Sequence, residues 1–152
     1  MAAVITAAAN VHAIIDLSTY KTLIITLATM IFAAGCATGN NHLAVEDFCQ
    51  YLIDNGVPVT QVQPLRTEVF AAQHAWAFQI DGKADQEIGV YKYDITNNKM
   101  RERLEKYQED GYAMAMGLKY PVIISGSFML IGVEKNPYRT QIEAAAKGFA
   151  NL

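Results

Sequence analysis

The sequence has few of the residues that build metal and redox centres. Its two cysteines, Cys36 and Cys49, form no CxxC motif, and no group of His, Cys, Asp and Glu has metal-ligand spacing. No cofactor is called for. There is no Asn-x-Ser/Thr acceptor. Basic residues are outnumbered, 12 Lys+Arg against 15 Asp+Glu, and the net charge of −3 gives nucleic acid no basic surface to bind. The first twenty residues hold no Lys or Arg and carry Asp16, unlike the basic start of an export signal. Long apolar runs are also few. The most apolar run, Leu23 to Ala34, has twelve residues. As a helix it spans about 18 Å, short of a hydrocarbon core of about 30 Å.

A run of that length suits the apolar region of a secretory signal. Lys21 precedes it, and Ala33-Ala34-Gly35-Cys36 closes it. Read alone, the run also fits a buried core helix, an uncleaved anchor or ordinary cleavage after Gly35. Its ending resembles the lipobox of bacterial lipoproteins, with Ala33 where leucine is the usual residue. That resemblance implies a diacylglyceryl group on the Cys36 thiol, cleavage before Cys36, and lipid anchoring in the cell envelope on the extracytoplasmic side of a membrane. The unusual start has two readings. The true start lies near Leu17, since TTG encodes leucine and also initiates in bacteria, or Met1 to Ile15 forms a second apolar segment. The expected organisation is a signal peptide over 1–35, a flexible tether over 36–43 (Ala37-Thr38-Gly39-Asn40-Asn41-His42 is small and polar) and one globular domain over 44–152. The overall apolar fraction of 52% is raised by the signal, yet the remainder still reads as folded.

Val45, Phe48, Cys49 and Leu52 follow helical spacing and predict a helix over Val45 to Asn55, ended by Gly56. That stripe makes Cys49 core filler. Val57 to Val62 alternates as a strand, confined to a sheet edge by Pro58. Pro64 to Gln73 shows no clear period. Ala75 to Ile80 and Glu87 to Tyr93 predict a hairpin around a loop over 81–86 that starts with Asp81-Gly82. Thr96 to Asp110 reads as an amphipathic helix with Met100, Leu104 and Tyr107 inward and a Glu102–Lys106 pair outside. Tyr112 to Met116 is a short candidate strand. Pro121 to Ser125 and Phe128 to Val133 predict a second, almost wholly apolar hairpin, central and covered on both faces. Asn136-Pro137 starts a last helix with Ile142, Ala145, Ala146 and Phe149 inward.

The expected fold class is therefore α+β. A mostly antiparallel sheet built from hairpins carries three helices on one face, in the order α-β-β-β-α-(β)-β-β-α. The closing run from Tyr120-Pro121 resembles the last ββα of thioredoxin-like folds, which without CxxC implies no redox activity. The strand end Tyr91-Lys92-Tyr93-Asp94 and the turn Gly126-Ser127-Phe128 resemble small bacterial lipoproteins, a likeness that carries no activity with it.

No catalytic residue is singled out. His74 lacks a nucleophile or orienting acid nearby in sequence. Asp81, Asp85 and Glu87 lack EF-hand spacing. Trp76, Phe78, Tyr91 and Tyr93 are the candidate ligand or partner face, with one set as core being the plainer alternative. The expected function is a membrane-anchored envelope lipoprotein with a non-catalytic binding or accessory domain, its partner an envelope protein or small ligand. An exported enzyme with an unreadable site is the rival reading.

Overall fold

A computed structural model describes residues 39–152. The expected signal peptide, Cys36 and the first tether residues lie outside them.

Among the described residues three α-helices and six strands follow the expected order. Helix α1 is Val45–Asp54, α2 is Asn98–Asp110 and α3 is Arg139–Phe149. The strands are β1 (Val59–Pro64), β2 (His74–Ile80), β3 (Lys83–Lys92), β4 (Tyr112–Ala115), β5 (Leu118–Ser125) and β6 (Phe128–Ile131). They form one sheet in the order β1-β2-β3-β6-β5-β4, and every pairing is antiparallel. The class is α+β.

Two cores form, one on each side of the sheet. Phe78, Ile80, Ile88, Val90, Phe128 and Leu130 pack under α1 and α3, against Phe48, Leu52, Ile142 and Phe149. The Phe48 ring lies 4.8 Å from Phe149 and 5.7 Å from Phe128, within the range of favourable aromatic pairs. On the other side Ala75, Tyr91, Tyr93 and Met129 pack against Leu104 of α2 and Phe70. The helices thus divide two and one between the faces, where a single face was expected. The reason lies in β3 and β6, which are apolar on both sides, so a layer on one side leaves the other wet.

The first hairpin is tighter than expected. Asp81 and Gly82 have φ of +55° and +68°, the pattern of a two-residue type I′ turn. Ile80 pairs with Lys83, yet Gln79 pairs with Glu87. Ala84, Asp85 and Gln86 are therefore an irregularity within β3, not a loop. β1 begins after Pro58 and is an edge strand, as proline requires. The unreadable stretch after it contains a short 3₁₀ turn, Thr67–Val69, that delivers Phe70 to the second core. In the second hairpin β6 is central and its Phe128, Met129 and Leu130 are fully buried. Val122, Ile123 and Ile124 of β5 are only half-buried, because β4 beyond them is short.

Asn97 caps α2, its Oδ1 accepting from the Lys99 and Met100 amides. The α2 ion pair among the described residues is Arg101–Glu105 at 3.7 Å, not the expected Glu102–Lys106. Asn136 Oδ1 accepts from the Tyr138 amide, so it caps the turn that leads into α3. Ile142, Ala145, Ala146 and Phe149 are buried as the spacing predicts.

The folded domain starts earlier than the tether reading places it. Gly39–His42 forms a 3₁₀ turn, and Asn40 is fully buried. Its Nδ2 donates to the carbonyls of Ser125 and Phe149, at 3.0 and 3.1 Å. Its Oδ1 accepts from the Ser127 amide at 2.7 Å. Gly126 makes room for this side chain, since a β carbon there would overlap the Asn40 amide, and its φ of +60° suits the two-residue turn. Residues 39–43 therefore belong to the domain.

Removing the Asn40 amide leaves buried partners unmet, each worth about 1–3 kcal/mol. Asn40→Ala should lower stability by on the order of 3 kcal/mol in urea melts, whereas Lys83→Asp at the exposed hairpin tip should change it by less than about 0.5 kcal/mol. If Asn40→Ala melts like wild type, residues 39–43 are a leash after all.

Candidate functional site

The polar end of the sheet opens into a cleft of about 580 Å³ between the start of α1, the start of β2 and the end of β3. Asn41, His42, Glu46, His74, Trp76, Lys92 and Asp94 line it. The topology explains why they meet. β2 and β3 are antiparallel, so the start of one and the end of the other lie at one pole, and His74 pairs with Lys92. The Asn40 anchor brings Asn41 and His42 to the same pole.

Lys92 is the unusual member. It continues the inward positions Ile88 and Val90 and is 8% exposed. Its ammonium donates to the Asn41 carbonyl at 2.8 Å and to Ser127 Oγ at 3.4 Å. It also sits 4.6 Å from the centre of the ring of Phe128, its cross-strand partner, a cation–π distance. Among the described residues no carboxylate pairs with it at ion-pair distance. Burial lowers its pKa from the ordinary lysine range, and the more distant charges of Asp94 and Asp47 oppose that shift.

Asp94 is held as a carboxylate. Its Oδ1 accepts from the Thr96 hydroxyl at 2.6 Å and amide at 2.9 Å, and from Asn41 Nδ2 at 3.4 Å. The Thr96 hydrogen bonds lower its pKa most, with Asn41 and Lys92 adding to the effect. All three bonds go to Oδ1, which leaves Oδ2 open. His42 and His74 are exposed at the rim.

Trp76 is the wall between this cleft and an apolar slot of about 190 Å³, lined also by Val45, Cys49, Val62 and Phe78. Cys49 is a half-buried free thiol, and burial followed by the charge of Glu46 raises its pKa.

The four aromatics marked in the sequence do not share a face. Trp76 and Phe78 belong with Ile88 and Val90 under α1 and α3, while Tyr91 and Tyr93 belong to the opposite core. Phe78, Tyr91 and Tyr93 are buried, and only Trp76 reaches a cleft. Tyr93 donates its hydroxyl to the Phe70 carbonyl at 3.1 Å, and burial raises its pKa strongly. Phe78, Tyr91 and Tyr93 are thus core on opposite sides of the sheet, where the plainer alternative had one set as core. Asp85 and Glu87 remain exposed near the hairpin tip, where Asp81 pairs with Lys83 at 2.9 Å. Among the described residues no group of three His, Cys, Asp or Glu side chains gathers as metal ligands. The sequence reading missed Asn41, Lys92 and Asp94 as site residues. The available signal was Lys92 itself, a cation on the apolar face of β3.

The raised thiol pKa makes a testable outcome. In a Cys36→Ser background Cys49 should react with a disulfide reagent at pH 8 about tenfold more slowly in the native state than in urea. Glu46→Gln should speed the native reaction only slightly, since burial is the larger cause. Equal native and unfolded rates would contradict the half-buried placement. Compared with protein-family models, with curated proteins and with solved structures, the chain matches none of them.

Proposed function

We propose that this chain is a lipid-anchored protein of the bacterial cell envelope, held at a membrane by Cys36, and that its folded part is a non-catalytic binding domain that works through the Lys92 cleft. The observation that carries the anchoring is the succession of Lys21, the apolar run Leu23 to Ala34, and Ala33-Ala34-Gly35-Cys36. A diacylglyceryl group supplies two chains, and two acyl signals make attachment stable where one is marginal. Among the described residues no helix is long and apolar enough to cross a membrane.

The cleft supports binding more than chemistry. It is concave, with mixed polar and apolar walls, as small-ligand sites are. The hydroxyls that touch its lining residues are committed elsewhere. Ser127 Oγ donates to Asn40, and Thr96 Oγ1 donates to Asp94. Neither faces a histidine as a nucleophile faces its base.

Replacing Cys36 with Ser should abolish labelling by a radioactive fatty acid and leave an unprocessed precursor that is larger on a denaturing gel. A Cys36→Ser chain that is labelled, processed and fractionated like wild type overturns the anchoring.

A further inference from the structure

We propose that the cleft takes a phosphate ester that also carries a primary ammonium, the chemistry a phospholipid headgroup presents, with the phosphate at Lys92 and the ammonium between Asp94 and Glu46. The cleft chemistry stands on the described residues alone. Naming the bilayer as its source rests on the proposed lipid at Cys36.

Three observations converge. The first is the buried cation. A charge taken out of water is costly unless it is paired, and Lys92, 8% exposed, has no carboxylate at ion-pair distance among the described residues. Two of its three ammonium donors go to Asn41 and Ser127, which leaves one for an anion in the cleft. His42 and His74 at the rim are further donors.

The second is that the same cleft carries the opposite charge. Glu46 and Asp94 line it, and Asp94 Oδ2 has no protein donor among the described residues, all three hydrogen bonds being on Oδ1. A simple anion meets two carboxylates, and a simple cation meets Lys92. A ligand that carries both charges satisfies both walls. Trp76 and Val45 give its carbon skeleton an apolar surface.

The third is reach. Asn40 is fixed in the core, and only Ala37, Thr38 and Gly39 separate it from Cys36. At roughly 3.3–3.6 Å per residue that chain spans at most about 14 Å. Asn41 and His42, the next residues, line the cleft. A lipid on Cys36 therefore keeps the mouth of the cleft close to the headgroup layer.

Trp76 is the sole tryptophan of the chain and lines the cleft, so its fluorescence reads occupancy directly. The full-length product, purified in a non-ionic detergent, is titrated with phosphoethanolamine, phosphocholine and inorganic phosphate. Trp76 emission should change saturably with phosphoethanolamine and respond at least about tenfold more weakly to the other two, which lack an ammonium N–H. Lys92→Met should abolish the response. Asp94→Asn should reverse the preference toward inorganic phosphate, which a merely structural role would not do. If Lys92→Met fails to fold, the Asp94→Asn reversal decides. Equal responses to all three probes, no saturable response to any, or an unchanged preference in Asp94→Asn overturns the proposal. Phosphatidylethanolamine vesicles should give the shift and phosphatidylglycerol vesicles should not. A response to the free ester alone overturns the bilayer as the source. Fatty-acid labelling of Cys36 is read separately, so an unlabelled chain whose Trp76 still responds loses the anchor and keeps the site.

Discussion

The structure depends on the central pair β3–β6 being apolar on both sides. Val90 and Leu130 face one core and Tyr91 and Met129 the other, across directly paired positions. Burying a large apolar side chain is worth about 1.5–3 kcal/mol, so neither side can be left to water. That constraint recruits every other element. α1 and α3 cover one face, and α2 with the turn carrying Phe70 covers the other. The edge strand β1 needs less cover and is correspondingly exposed, while β4 still gives Ala113 and Ala115 to the second core.

The cleft arises where this double burial runs out. β3 ends in Lys92, an inward position like Ile88 and Val90, but occupied by a cation. The chain deals with that charge in three ways. Phe128 lies beneath it at a cation–π distance, Asn41 offers a carbonyl, and a cleft opens beside it. The Asn41 carbonyl is available because Asn40, one residue earlier, is locked between the β5–β6 turn and the end of α3. The stability of the N-terminal turn and the shape of the cleft are therefore coupled, since the residue that anchors the turn also sets the position of a ligand to Lys92.

Much of the fold was legible because it rests on local pattern. The stripes of α1 and α3, the edge position forced by Pro58 and the Asp81-Gly82 turn are all short-range signals, and each lies where its spacing puts it. What failed depends on contacts distant in sequence. The irregularity at Ala84 to Gln86 is set by the pairing of Gln79 with Glu87, not by the turn. Trp76, Phe78 and Tyr91 alternate correctly within their strands and Tyr93 continues the alternation just past β3, but alternation does not say that both faces are covered. Asn40 sits in a small, polar, aperiodic stretch that reads as a leash, and its partners lie 85 to 109 residues away. The candidate site was the least legible part, since Asn41, His74 and Lys92 meet only through sheet register and the Asn40 anchor.

This dependence on distant contacts also bears on how an anchor and a site can work together. A tether of ordinary length would let the domain tumble freely above a bilayer, and the orientation of the cleft would then carry no consequence. The burial of Asn40 limits that freedom, because in sequence only Ala37, Thr38 and Gly39 separate it from Cys36. Under the proposed lipidation, one interaction network sets both the distance of the domain from the membrane and the pole it presents. Lys92 tolerates burial at that pole because its donors are held in place before any ligand arrives. Under the proposed binding, such preorganisation reduces the ordering cost, so a small polar group can be held without the large apolar area that stable protein partners require.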